Sequence, residues 1–236
     1  MGSDERASRA GRFKQALLAG DDVAIIAEIK RRSPSRGDLN AELDPAEMAA
    51  AYRDGGAACL SVLTNEAMFG GSGDDLAAAA QASGLPVLRK DFITTADDVY
   101  ESHDMGADAL LLIVADLTGA QLAGLHALAL SLGMDVLTEV KSESELEIAL
   151  EAGADIIGVN QREKPKSAAF TMDYQRAARL APLLPDHVVK VAESGIAVPG
   201  GTTMAAVREA GYDAALIGEA LVTSGNPVER LQELLA

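Results

Sequence analysis

Gly106 to Val114 reads GADALLLIV, and the formula recurs as GGAACLSVL at 55–63, GADIIGVN at 153–160 and GYDAALIG at 211–218. In each copy a glycine stops a helix and an apolar run follows at once. Working outward, the same unit of apolar run, polar loop and Ala/Leu-rich stretch fills the chain. Strands are expected at 23–30, 57–64, 86–90, 107–114, 135–140, 155–160, 188–193 and 214–218. Helical runs between them are expected at 46–54, 73–81, 95–105, 119–132, 142–151, 174–180 and 202–210. Continuous apolar strands alternating with helices make a parallel sheet covered on its faces. Eight such units in 236 residues predict an α/β chain folded as a single (β/α)8 TIM barrel. The rival, an open doubly wound sheet, would want a G-x-G-x-x-G after its first strand, and none is there. The barrel is expected over 23–236. Residues 1–22 read as a short N-terminal helical extension, its first residues, Met1-Gly2-Ser3, in part tag-derived.

The composition narrows the chemistry. Apolar residues make up 48% and aromatics only 3%, so the core is built from Ala, Val, Leu and Ile. Twenty basic residues face 36 acidic ones, a net charge of −16. Such a chain repels phosphate backbones, which argues against nucleic acid as a partner. An anionic small molecule would need local cations and backbone amides. Cys59 is the only cysteine, which excludes an intrachain disulfide and fits a reducing cytoplasm. The polar start, MGSDERASRAGRFK, lacks the apolar core of a signal peptide. The densest apolar run, 109–115, is too short to span a membrane.

Barrels of this kind work at the C-terminal ends of their strands. Those ends carry Glu28 and Lys30, then Ser33; Ser61 and Thr64; Lys90-Asp91; the apolar Leu111 and Ile113; Glu139; Asn160 with Arg162 after it; Glu193-Ser194-Gly195; and Gly218-Glu219. Residues two apart on a strand share a face. Glu28 and Lys30 therefore point inward or outward together, and the inward choice joins them to Lys90, Glu139, Asn160 and Glu193. Any one such charge simply marks where a strand meets water. Six strands together are harder to dismiss, since the N-terminal ends are expected to carry no comparable set. The three histidines, His103, His126 and His187, show no metal-ligand spacing, so no metal is expected.

The ordered blocks AEIKRRSPSRG, SVLT, FGGS, LRKDF, GADALLLI, TEV, GVNQR, AESGI and LIGEALV resemble the indole-3-glycerol phosphate synthase family. The resemblance runs from about Val23 to the C-terminus, and E-I-K-x-x-S-P-S-x-G and L-x-K-D-F are its most specific pieces. It implies ring closure of 1-(2-carboxyphenylamino)-1-deoxyribulose 5-phosphate, with loss of CO₂ and water, in tryptophan biosynthesis. It implies no metal or organic cofactor. By position, Lys90 resembles the general acid and Glu139 its partner in proton transfer. Lys30 resembles the lysine that meets the substrate carboxylate and shares the acid role. Glu28, Asn160 and Glu193 resemble groups that hold the sugar hydroxyls and tune the lysines. The phosphate is expected near Ser33, Ser194, Gly195 and Gly218, with Arg162 or Arg36 supplying charge. The Glu219 side chain is expected to turn away from the phosphate while its backbone contributes. Phe69, Phe92 and Leu111 are the expected aryl wall, although core packing would explain Phe92 and Leu111 as well. The partner expectations are a phosphorylated small molecule, no nucleic acid, no membrane, and a monomer associated with other tryptophan-pathway enzymes.

Three departures from the family pattern stand out. The family carries a longer stretch ahead of its first strand, with a helix over the barrel mouth, where here 22 residues precede Val23. Asn160 is followed by Gln161 where a second Asn is usual, and the loop 163–169 reads EKPKSAA. Two other readings share the fold: a related barrel acting on a different phosphorylated substrate, and a catalytically silent barrel. Both lysines and Glu139 argue against silence. A phosphoribosylanthranilate isomerase would want Cys where Lys30 stands.

Overall fold

The computed structural model describes residues 10–33, 36–163 and 171–236. Met1 to Ser3 and residues 164–169 of the expected departure loop lie outside them. Eight parallel strands close into a barrel: β1 Ala24–Ile29, β2 Cys59–Leu63, β3 Val87–Lys90, β4 Ala109–Ile113, β5 Asp135–Val140, β6 Ile156–Asn160, β7 Val189–Glu193 and β8 Ala214–Ile217. Neighbours pair in sequence order, and β1 closes the ring on β8 with Ala24 opposite Ala214 and Ala27 opposite Ile217. Every expected strand is present. Helices α1 Arg12–Leu17, α2 Pro45–Asp54, α3 Glu66–Phe69, α4 Gly73–Ser83, α5 Ala96–Asp104, α6 Gly119–Ser131, α7 Glu143–Glu151, α8 Arg176–Leu180, α9 Met204–Glu209, α10 Glu219–Val222 and α11 Pro227–Leu235 complete the chain. A two-stranded ribbon, Arg32–Ser33 against Gly37–Asp38, follows β1. Among the described residues no helix is long and apolar enough to cross a membrane.

Local chemistry sets the helix starts. Ser72 with Asp75 and Thr95 with Asp98 form capping boxes at α4 and α5. The unanticipated α11 begins with Asn226 as cap and Pro227 at the first position, and buries Leu231 and Leu234. These signals were readable in the sequence.

Strand parity then splits the core in two. Ile25, Leu60, Val87, Leu110, Val136, Ile157, Ala192 and Ala215 face the helices. Ile26, Cys59, Leu88, Ala109, Leu137, Ile156, Val191 and Ala214 form a separate inner cluster, and Phe13 and Leu17 belong to it. Helix α1 is therefore a plug. Its anchors are all at the N-terminal ends of strands: Arg12 to Asp108 at 3.1 Å, the Lys14 amide to Asp135 at 2.9 Å, and Lys14 Nζ to Asp155 at 2.7 Å. The described part of the N-terminal extension thus lies opposite the mouth.

One expectation needs correcting. The strand starts do carry charge: Asp108, Asp135, Asp155 and Asp213. They differ from the mouth set in being all acidic. Asp108 accepts the Val87 amide and Asp213 the Lys190 amide, so they satisfy backbone donors where strands begin.

Replacing the fully buried Phe13 by Ala should cost about 3–5 kcal/mol in a urea melt, as removal of a core aromatic does. Turnover of the folded fraction should stay at the parent value, because the plug is at the far end. A loss below about 1 kcal/mol, the range of ordinary surface changes, would show the plug to be dispensable.

Candidate active site

The inner rows change chemistry along the barrel axis. Ile26 is followed on the same face by Glu28 and Lys30, Leu88 by Lys90, Leu137 by Glu139 and Lys141, Ile156 by Gly158 and Asn160, Val191 by Glu193, and Leu216 by Gly218. The apolar half is the barrel floor, and the charged half lies under the mouth.

Three acid–base pairs result. Lys30 Nζ lies 2.5 Å from Glu28 Oε1, Lys141 Nζ 3.1 Å from Glu139 Oε1, and Lys90 Nζ 3.8 Å from Glu193 Oε2. All three carboxylates are buried. Burial alone would raise their pKa values. At Glu28 it is overcome by Lys30, Lys90 and Arg162, and the carboxyl is held below its usual range. At Glu139 it is overcome by Lys90, Lys141 and a hydrogen bond with Asn160, with the same outcome. At Glu193 burial wins, reinforced by the charges of Glu139 and Glu28, and the carboxyl is pushed up to about 8. Burial presses Lys90 the other way, toward the neutral amine, but the surrounding carboxylates raise its pKa on balance. Glu193 contributes most to that rise, followed by Glu28 and Glu139.

The surrounding residues fix this arrangement. In LRKDF, Lys90 points inward. Its neighbour Arg89 holds Thr64 Oγ1, Ser102 Oγ and Glu101. Asp91 accepts from Thr64 and Asn65 and so ties the β3 end to the β2 loop. After Lys30, Arg31 grips Asp75 and the Gly70 carbonyl, and Arg32 the Glu66 and Ala67 carbonyls. The run Lys30-Arg31-Arg32 thus supplies one cation to the interior and two clamps on the loop that presents Phe69. Gln161, the departure beside Asn160, is a staple: it donates to the Ser194 carbonyl and accepts from Thr202.

Two cavities share this mouth. A small polar one, about 70 Å³, is lined by Glu28, Lys30, Glu193, Ser194, Gly195, Gly218 and Glu219 among others. A larger one, about 390 Å³, has Met68, Phe92, Leu111, Ile113, Glu139 and Lys141 in its wall. Leu63, Phe69, Lys90, Asn160 and Arg162 line both. Phe92 and Met68 are exposed, while Leu111 is buried and belongs to the inner cluster as well as to the cavity wall. Lys30 lines the polar cavity alone. Ser33 lines neither; it is buried on the ribbon, its Oγ accepting the Arg36 amide at 3.2 Å. Arg36 is engaged with Glu219 at 2.9 Å. Sequence reasoning missed Lys141 and Met68, and named Ile113 at its strand end without giving it a role. Lys141 repeats the Glu-x-Lys spacing of Glu28 and Lys30, a signal that was available.

Two backbone features belong to the polar cavity. Ser194 and Gly195 are both left-handed, at φ 69 and 68. For a serine that costs on the order of 1 kcal/mol or more. Gly218 leaves no space for a methyl group, because one there would strike Glu28 Oε1 and Lys30 Nζ. Gly158 does the same for Glu193, whose two buried oxygens have no hydrogen-bond partner among the described residues.

A family model described as indole-3-glycerol phosphate synthase matches residues 3–234. A relative of that name from Mycolicibacterium vanbaalenii is 49% identical over 220 residues, covering 93% of this chain and 79% of the relative. One from Streptomyces griseus is 47% identical over 234 residues, covering 98% and 85%. A thiamine phosphate pyrophosphorylase from Pyrococcus furiosus aligns in space with a TM-score of 0.61 at 16% identity, over 92% of this chain and 95% of that one, a likeness of fold alone.

Gly158→Ala should leave the circular dichroism spectrum of the barrel in place while displacing Glu193. We expect turnover to fall on the order of 10²-fold, the cost of misplacing a site group by about 1 Å. Parent-like turnover would show that Glu193 need not hold its position.

Proposed function

We infer the chemistry from one premise: the chain belongs to the indole-3-glycerol phosphate synthase family, carboxy-lyases of tryptophan biosynthesis. The substrate has an apolar aryl end and a polar phosphorylated end. The two joined cavities suit those ends, with the ring against Phe92, Leu111 and Phe69 and the sugar phosphate in the polar cavity. The observation that carries the mechanism is that Lys90 lines both cavities, at the junction where the new carbon–carbon bond must form.

The ring carbon bearing the carboxylate attacks the C2 carbonyl, and Lys90 gives a proton to the carbonyl oxygen. Carbon dioxide then leaves that ring carbon, and its bonding pair restores aromaticity. In the last step the new hydroxyl leaves as water with a second proton, and Glu139 takes one from C1. Two protons are thus delivered and one recovered, so one is drawn from solvent. The raised pKa of Lys90 keeps it loaded as an acid, and the lowered pKa of Glu139 keeps it available as a base.

Glu193, with both oxygens unpartnered, receives sugar hydroxyls together with Glu28 and Asn160. Lys30 and Arg162 meet the anionic groups of the substrate. The phosphate is assigned to the amides of Ser194, Gly195, Gly218 and Glu219, the usual phosphate site of this fold. Ser33, which lines neither cavity, sits on the ribbon whose turn Arg36 ties to Glu219. The single buried Cys59 fits the cytoplasm.

Lys90→Ala should fold as the parent does and lose on the order of 10²–10⁴ in rate, the contribution of one positioned acid. Indole fluorescence on adding the carboxyphenylamino substrate measures it, and a loss of only a few-fold removes Lys90 as the acid. Sulfate at constant ionic strength should compete with substrate. If tens of millimolar, well above the roughly millimolar affinity that corresponds to about −4 kcal/mol, leaves KM unchanged, the phosphate lies elsewhere.

A further inference from the structure

Strands β1 and β5 end in the same pattern, Glu28-Ile29-Lys30 and Glu139-Val140-Lys141. Four steps around the eight-stranded ring separate them, so the two patterns face each other across the mouth. In each, the acid and the lysine share the inner face, and the lysine Nζ sits on its own acid, at 2.5 Å for Lys30 and 3.1 Å for Lys141. Lys30 has a place in the mechanism above, whereas Lys141 has none. It is not a surface lysine, since its side chain is 14% exposed and lines the apolar cavity beside Leu111, Ile113 and Phe92.

We propose that Lys141 is a positioning residue for Glu139: it holds one carboxylate oxygen, keeps the group ionised and turns the other oxygen to the ring cavity. This rests on Glu139 acting as the base. The groups that face Glu139 are Lys90 from β3, Lys141 after β5, Asn160 from β6 and Glu193 from β7, with Arg176 from α8 at longer range. Arg162 and Glu163 line the same cavity. Without Lys141, the nearest ammonium left to Glu139 is Lys90. A carboxylate drawn onto the acid it must work beside is badly placed as a base, since the two would neutralise each other. Lys141 supplies a competing cation 3.1 Å from Glu139 Oε1 and leaves Lys90 directed at the junction. The length and flexibility of a lysine suit the task, because the ammonium reaches the carboxylate as a point charge.

The pH dependence follows in sign. Glu139 works as a base only when ionised, so its activity is present above its pKa and lost below it. Opposite charges nearby lower that pKa. Removing the Lys141 charge raises it and moves the acid limb of the kcat profile to higher pH.

The test is steady-state kinetics of the whole chain across pH for Lys141→Met, Lys141→Arg and Glu139→Gln, with thermal melts alongside. Lys141→Met should lower kcat by roughly 10- to 10²-fold, as small misplacements of a catalytic group do. It should leave KM within about twofold, the scatter of such comparisons, and shift the acid limb upward. Lys141→Arg should recover most of the rate and return the limb. If Lys141→Met does not fold, Lys141→Gln gives the same reading. A parent-like kcat and limb in the neutral variant overturns the proposal, and so does a raised KM with kcat preserved, which would make Lys141 a substrate anchor. If Glu139→Gln turns over like the parent, the base assignment falls and this role with it. If Glu139→Gln is dead and Lys141→Met is parent-like, the role of Lys141 alone is wrong.

Discussion

The pairing of buried acids with buried lysines in a confined space governs the upper half of this barrel. Three ammonium groups and three carboxyl groups occupy the rows that, one pleat lower, hold Ile26, Leu88, Leu137 and Val191. None could be buried there alone, since an isolated charge in such surroundings either neutralises or unfolds its host. The solution is unequal pairing. Glu28 and Glu139 each have a close lysine and stay ionised. Glu193 has only Lys90, at 3.8 Å, and moves toward the neutral acid. The loosest pair therefore contains the lysine assigned to chemistry. A tight partner would have locked Lys90 in place; a loose one leaves its proton available.

This interior is made possible by what lies just outside it. Gly158 and Gly218 clear space for Glu193 and for the Glu28–Lys30 pair, so two of the eight strands give up a side chain to let others in. Arg31, Arg32, Arg89 and Asp91 bind loops to one another at the mouth. Gln161 and Thr202 brace the turn in which Ser194 is held left-handed. The strain at Ser194 and the unpartnered oxygens of Glu193 sit on adjacent residues. Local instability gathered at one place on a rigid scaffold is the usual condition of a working site.

The fold was legible because its signal repeats. Each Gly-to-strand junction is local, and four of them among eight strand–helix units leave few topologies. The site residues on strands were legible for the same reason: Glu28, Lys90, Glu139, Asn160 and Glu193 follow the parity of their strands. What escaped depends on contacts distant in sequence. Lys141 stands just before Ser142, the cap of α7, and reads as the polar start of a helix although its ammonium turns back inside. Arg36 reads as a free cation, but Glu219, far along the chain, claims it. Helix α1 gave only a generic helical signal. That it plugs the floor is decided by Phe13 meeting residues from strands across the whole ring. Asp108 and Asp213 were in plain view within the repeated formula, yet their amide partners lie on neighbouring strands.

The plug has a consequence for biosynthesis. Phe13 and Leu17 leave the ribosome some two hundred residues ahead of Ala214 and Leu216, with which they share the floor cluster. At about 5–20 residues per second, the interval between them is on the order of ten seconds or more. Through that interval the open sheet has an unpaired edge at β1 and an uncovered floor. A nascent chain of this design therefore has a window in which helpers that shield apolar surface would act.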